Sequence, residues 1–127
     1  MKAGDTYRFT RLPGKKTDIH LWVIISDPSL DDQKVLSINL TTHRPWKDGS
    51  CIIYPGEHPF VRHDTCIWYI EPRTTPLADL VSQLRAGLIA ADEPVSGPLL
   101  ERIRKGGCHS LSMPNGAKRI LMAQRFC

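Results

Sequence analysis

Several familiar signatures are missing from this chain of 127 residues. It has no Cys-x-x-Cys pair, which argues against a zinc ribbon or a thioredoxin-type redox centre. HExxH, Walker, GxSxG and GxGxxG motifs are absent as well. That removes the commonest zinc-protease, nucleotide-hydrolase, serine-hydrolase and dinucleotide-binding readings. No apolar run approaches the roughly 18 residues needed to span a bilayer; the longest is Leu21 to Ile25. The opening MKAGDTYRFT lacks the apolar stretch of a secretion signal. These absences predict a cytoplasmic protein without a membrane partner. Neither sign of charge dominates. Seventeen Lys and Arg face 13 Asp and Glu, for a net charge of +4 and a pI near 9.0. This balance permits a phosphate-bearing partner without demanding one.

What is present fits one globular domain spanning 1–127. The hydrophobic fraction of 41% and charged fraction of 24% are ordinary for a packed domain, and the length suffices for a core without staples. Ten prolines and nine glycines imply many turns. The four cysteines, Cys51, Cys66, Cys108 and Cys127, read as free thiols in a reducing compartment.

Residues 1–74 form the predicted β core. Thr6–Thr10, Ile19–Ser26, Lys34–Leu40, Ser50–Tyr54 and Thr65–Ile70 are rich in β-branched and aromatic residues and are separated by turn signals. LPGKKTD reads as a loop after the first strand, and Ser29–Gln33 as a polar connection. In Lys34–Leu40, alternation puts Val35, Ser37 and Asn39 on one face and Leu36, Ile38 and Leu40 on the other. The pattern then turns helical over 75–127. LADLVSQLRAG carries Leu77, Leu80, Val81 and Leu84 at helical spacing, with Pro76 in the first turn and Gly87 just past the end. A second helix is capped by Ser96 and stopped by Gly106-Gly107; a third covers Asn115–Arg125. The fold class is mainly β with C-terminal helices: a small barrel or strongly bent sheet with helices packed on it.

Candidate chemistry centres on His20, His43, His58, His63 and His109. His20 opens the most apolar strand. His58 and His63 share a proline-stiffened stretch with Glu57, Arg62 and Asp64, a set that also leaves zinc ligation open. A second constellation, Asn39-Leu40-Thr41-Thr42-His43-Arg44-Pro45-Trp46-Lys47, ends a strand in two hydroxyls and follows it with cations and an aromatic. Arg44 and Lys47 suit phosphates there, and Trp46 suits stacking on a base. A solvated hairpin loop anchored by the tryptophan accounts for it equally well. Residues 101–127 hold six Lys and Arg against Glu101 alone.

The order of segments resembles the MazF/PemK-like toxins, small SH3-like barrels that cleave RNA in toxin–antitoxin systems. Gly4-Asp5-Thr6-Tyr7 is similar to the family's opening strand. His20-Leu21-Trp22-Val23-Ile24-Ile25-Ser26-Asp27 is similar to its Arg-Pro-led strand, and Leu40-Thr41-Thr42 to the strand that ends in a Thr/Ser pair. His63–Tyr69 and Val95–Lys105 extend the resemblance over residues 4–105. The resemblance implies that Thr41 or Thr42 serves RNA cleavage. His20 stands where the family has arginine, and Leu21 where it has proline. Unlike arginine, histidine can accept a proton at neutral pH.

Two functions follow. In the first, the chain is an endoribonuclease that cleaves single-stranded RNA without a metal or other cofactor. His20 and His63 share acid–base work, with His58 as the substitute for His63. Thr41, Thr42, His58, Arg62, Arg44 and Trp46 hold the substrate. The resemblance adds an acidic antitoxin and a homodimer as partners. In the second, the domain is a non-catalytic module that binds nucleic acid or a partner protein through a groove lined by Trp22, Trp46, Trp68 and Tyr69.

Overall fold

The computed structural model describes residues 1–10, 20–30 and 34–127. The LPGKKTD loop, the predicted start of a strand at Ile19, and the end of the Ser29–Gln33 connection lie outside the described residues. The elements are β1 (Thr6–Phe9), β2 (Trp22–Ile24), β3 (Lys34–Thr42), β4 (Ile52–Ile53), β5 (Thr65–Pro76), α1 (Leu77–Arg85), β6 (Ile89–Asp92), α2 (Gly97–His109) and α3 (Asn115–Ala123). Among the described residues, six strands form one antiparallel sheet in the order β4-β5-β3-β2-β1-β6.

The alternation in β3 sets the layering. Leu36, Ile38 and Leu40 join Val23, Ile67 and Tyr69 on one face, where Leu99 and Ile103 of α2 and Ala117 and Leu121 of α3 complete the main core. Each fully buried Leu or Ile there contributes roughly 1.5–3 kcal/mol of transfer free energy. Val35 points the other way. With Tyr7, Ile24, Leu80 and Ile89 it forms a second, smaller core, closed by Leu77 and Leu84 of α1. Trp22 sits at the margin of this second core. Farther along the same face, Trp22, Asn39, Thr41 and Trp68 line an open depression. One face of the sheet is thus covered by α2 and α3, while α1 covers only part of the other.

Both capping expectations hold. Ser96 Oγ accepts from Leu99 N–H at 3.2 Å at the start of α2. Gly87 follows α1 with φ +74°, a conformation that favours glycine. Pro76 is the N-cap residue of α1 and so lies just outside the first turn.

Gly106-Gly107 does not stop α2, which continues to His109. Each glycine inside a helix costs about 1 kcal/mol relative to alanine, and here close packing offsets it. A Cβ on Gly106 would run into Tyr69 Oη and lie 2.9 Å from Cys51 Cβ; one on Gly107 would lie 3.0 Å from Met113 Sδ. The glycines let the helix approach the sheet closely enough for Tyr69 Oη to donate to the Ile103 carbonyl at 2.7 Å.

Two further features depart from the sequence reading. β6 is an added strand, pairing Ile89–Asp92 with Phe9–Thr6. β5 runs on to Pro76, and its register against β3 slips between Ser37, opposite Arg73, and Asn39, opposite Trp68. Residues 69–72 therefore face Ile38 alone, a bulge that accommodates Pro72 and re-aims neighbouring side chains.

The expectation of four free thiols is corrected. Cys108, in the last turn of α2, and Cys127, beyond α3, form a disulfide, with Cα atoms 5.6 Å apart. The return of the chain along α3 brings together residues 19 apart in sequence. Cys51 and Cys66 are free and buried.

Candidate functional site

Directly opposed residues of neighbouring strands share a face of the sheet. Asn39 of β3 lies opposite Trp22 of β2 and Trp68 of β5, so two indoles flank one amide in a row across three strands. With His20, Thr41, Lys47 and Glu71 they line a pocket of about 370 Å³. Trp22 is fixed by its surroundings: it stacks with Tyr7, with the rings 12° from parallel, and the Arg73 guanidinium lies 5.4 Å from its ring centre. Asn39 is only 8% exposed, and its Oδ1 has no hydrogen-bond partner among the described residues.

One end of the pocket is polar. His20 is exposed, and its Nδ1 lies 3.2 Å from the Leu40 carbonyl. A carbonyl only accepts, so Nδ1 carries the proton. The neutral ring then presents Nε2 with a free lone pair. Lys47 Nζ donates to Thr41 Oγ1 at 3.1 Å and to the Thr42 carbonyl at 2.8 Å. It also lies 5.8 Å from the centre of the Trp68 ring, within cation–π range. Lys47 therefore fixes the Thr41 hydroxyl and leaves its hydrogen available for a further acceptor.

Thr42 points away from Thr41, as alternation along a strand requires. Its Oγ1 is 2.9 Å from His63 Nε2 on the exposed side of the strand end. The chain of contacts runs from His63 through Thr42 to Lys47 and Thr41. His20 and Thr41 line the pocket; Thr42 and His63 are joined to it through Lys47.

The remaining expected residues lie elsewhere. His58 is buried, donates from Nε2 to the Glu93 carbonyl at 2.6 Å and accepts at Nδ1 from Phe60 N–H at 3.1 Å. Both ring nitrogens are engaged in holding the 54–64 segment against residue 93. This structural role replaces the substrate-binding role expected for His58 and removes it from any zinc set. Arg44 is exposed and bonds to the carbonyl of His43 at 3.2 Å. Arg62 is exposed, and Trp46 is 79% exposed; neither they nor Arg44 line the pocket. Tyr69, expected in the alternative groove, is in the main core.

The basic C-terminal segment belongs to helices on the opposite face of the sheet. Part of its charge is structural. Arg102 pairs with Glu57 and donates to the Ile52 carbonyl at 2.7 Å. Arg104 donates to the Ile25 carbonyl at 2.7 Å and stacks 3.5 Å from the ring centre of Phe126.

Sequence reasoning singled out His20, Thr41 and Lys47, took in Asn39 only as the first residue of the strand-end constellation, and passed over Glu71. Asn39 carried a usable signal, as one of two polar residues, with Ser37, in the apolar middle of β3. Glu71 carried none, because the β5 bulge places it.

A solved structure described as an endoribonuclease in complex with its cognate antitoxin, from a mycobacterial species, has a similar fold. Its TM-score against this chain is 0.56 at 16% identity, covering 90% of this chain and 97% of that one. No protein-family model matches the sequence, and no curated protein matches it.

Proposed function

We propose that this chain is an endoribonuclease of a toxin–antitoxin system that cleaves single-stranded RNA without a metal, using the pocket on the open part of the sheet. The observation that carries the reading is the convergence of His20, Thr41 and Lys47 at one end of a cleft walled by two tryptophans. That set supplies a proton acceptor, a hydroxyl and a fixed cation beside stacking surfaces. The overall likeness to an endoribonuclease held by its antitoxin supports it at the level of the fold.

In the proposed reaction, His20 Nε2 takes the proton of a ribose 2′-hydroxyl. The alkoxide attacks the adjacent phosphorus, and the bond to the leaving 5′-oxygen breaks. Lys47 and the Thr41 hydroxyl balance the charge that builds on the non-bridging oxygens. His63 as imidazolium, positioned by Thr42, returns a proton to the 5′-oxygen. The products are a 2′,3′-cyclic phosphate and a free 5′-hydroxyl. An acidic antitoxin chain and a second copy of the domain are the proposed protein partners, in the cytoplasm.

The test is cleavage of a single-stranded RNA by the wild type and by His20→Ala, Thr41→Val and His63→Ala. Losses of about a hundredfold or more are expected for His20→Ala. A 2′-deoxy substitution at the cleaved position should abolish the reaction. Undiminished cleavage by both histidine variants would overturn the assignment. Salt-dependent RNA binding with no cleavage would assign the same pocket to a non-catalytic module.

A further inference from the structure

We infer that the cleft between Trp22 and Trp68 is a nucleobase subsite in which Asn39 and Glu71 select bases bearing an exocyclic amino group. The inference rests on the proposed action on RNA and adds what that reading leaves open, which base is held beside the cleaved phosphate.

The width of the cleft follows from sheet geometry. Trp22 and Trp68 sit on the two strands that flank β3, both opposite Asn39. Neighbouring strands are about 4.8 Å apart, so the two backbones are roughly 10 Å apart. A planar ring in contact with an indole on each side needs about 7 Å between them, which this spacing provides. Trp22 is already immobilised by Tyr7, Phe9 and Arg73, so stacking orders little that is not ordered beforehand. The pocket volume of about 370 Å³ also leaves room for the ribose.

The floor supplies the selectivity. Asn39 is more than nine-tenths buried, and its Oδ1 lacks a donor among the described residues. A buried acceptor without a partner is disfavoured; Oδ1 has under 1 Å² of accessible surface, so a turn of the carboxamide toward the cleft is what brings it to a base and gives it a donor. A carboxamide presents an acceptor and a donor side by side, which matches the paired donor and acceptor on a base edge. Glu71, on the same pocket wall, is an acceptor only when ionised. Adenine, cytosine and guanine each offer Asn39 a donor and an acceptor and have an amino hydrogen for a second acceptor. Uracil also fits the amide, through its N3–H and a carbonyl. Its second carbonyl, however, meets the Glu71 carboxylate acceptor against acceptor. The pocket therefore disfavours uracil. His20, Thr41 and Lys47 close one end of the same cleft, so the selected base lies next to the phosphate they handle.

The experiment uses the full chain with 2′-O-methyl trinucleotides, which lack the attacking hydroxyl and report binding alone. The central base is A, C, G or U between two uridines. Binding is followed by tryptophan fluorescence in a Trp46→Phe background, where only Trp22 and Trp68 emit. The expected result is quenching on binding, with amino-bearing centres held about tenfold more tightly than uracil. Replacing the central adenine by purine, which lacks only the amino group, should lose the same tenfold without touching the protein. Glu71→Gln, whose amide can also donate, should level the four affinities, and Asn39→Leu should weaken all four together. Equal affinity for all four centres, no loss on the purine swap, or no binding would overturn the subsite. Cleavage of unmodified RNA without base preference would leave the nuclease reading standing and the subsite refuted. Selective binding without cleavage would do the reverse.

Discussion

Lys47 Nζ donates to Thr41 Oγ1 at 3.1 Å while bridging to the Thr42 carbonyl at 2.8 Å. The lysine comes from the loop after β3 and folds back over the end of its own strand, where the Trp68 ring supports it. In the proposed reaction it is, among the described residues, the one cation in the pocket wall. Lys47→Ala is expected to lower kcat/KM for RNA cleavage by about a hundredfold. It should also flatten the log–log salt dependence of single-strand binding by about 0.7, the contribution of one phosphate contact. Steady-state kinetics and a salt titration check both. An unchanged salt slope would place the phosphate elsewhere.

Gly106 and Gly116 both lie in helices but should respond oppositely to alanine. At Gly106 the new methyl group meets Tyr69 Oη and Cys51 Cβ, and overpacking of this kind costs about 1–3 kcal/mol. At Gly116 nothing lies within 4 Å, so the helix-propensity gain of roughly 0.5–1 kcal/mol should appear as added stability. Urea unfolding of the two variants gives the comparison. A neutral Gly106→Ala would show that α2 does not need its close approach to the sheet.

The Cys108–Cys127 disulfide closes a loop of sequence separation 19. Loop-closure entropy for that size amounts to about 3 kcal/mol, or roughly 10 °C in Tm for a domain of this length. The Cys108→Ser/Cys127→Ser double variant should lose that much under oxidising conditions and nothing under reducing ones. Alkylation of the denatured, unreduced wild type should label two thiols, those of Cys51 and Cys66.

Asp48 ties the loop after β3 to the end of α2. Its Oδ2 accepts from Ser110 Oγ and its Oδ1 from Ser50 N–H. Burial works against its charge, but hydrogen bonds from Ser110, Ser50 and Ser112 outweigh that and hold the carboxyl below the usual carboxylate range. A carboxyl depressed on folding contributes stability above its unfolded pKa of about 4 and loses it as pH falls through the folded value. Asp48→Asn should therefore melt below the wild type at pH 7, with the gap closing toward pH 3. A gap constant with pH would mean that the ionised carboxylate contributes nothing beyond its shape.

The sequence carried its local signals well. The alternation in β3 separates the two cores as predicted, and Ser96 caps α2 through its own hydroxyl. Signals that depend on distant partners were misread or silent. Gly106-Gly107 looks like a helix stop because glycine disfavours helix, yet Tyr69 requires glycine there. Ile89-Ala90-Ala91-Asp92 has little strand propensity and becomes β6 only by pairing with β1, some eighty residues earlier. His58 looked like a ligand and is a satisfied structural histidine.

By itself, then, the sequence determined a small domain of short strands followed by helices, and it placed His20 and Thr41 at strand ends where a site can form. Periodicity and capping are local physics and can be read one segment at a time. Tertiary structure decided which face of the sheet stays open. α2 and α3 cover one side, and α1 stops short of Trp22, Asn39 and Trp68 on the other. It also decided that the C-terminal cations lie away from the pocket and that Lys47 lies in it. These outcomes depend on strand register and helix placement across the whole chain, which no single segment encodes.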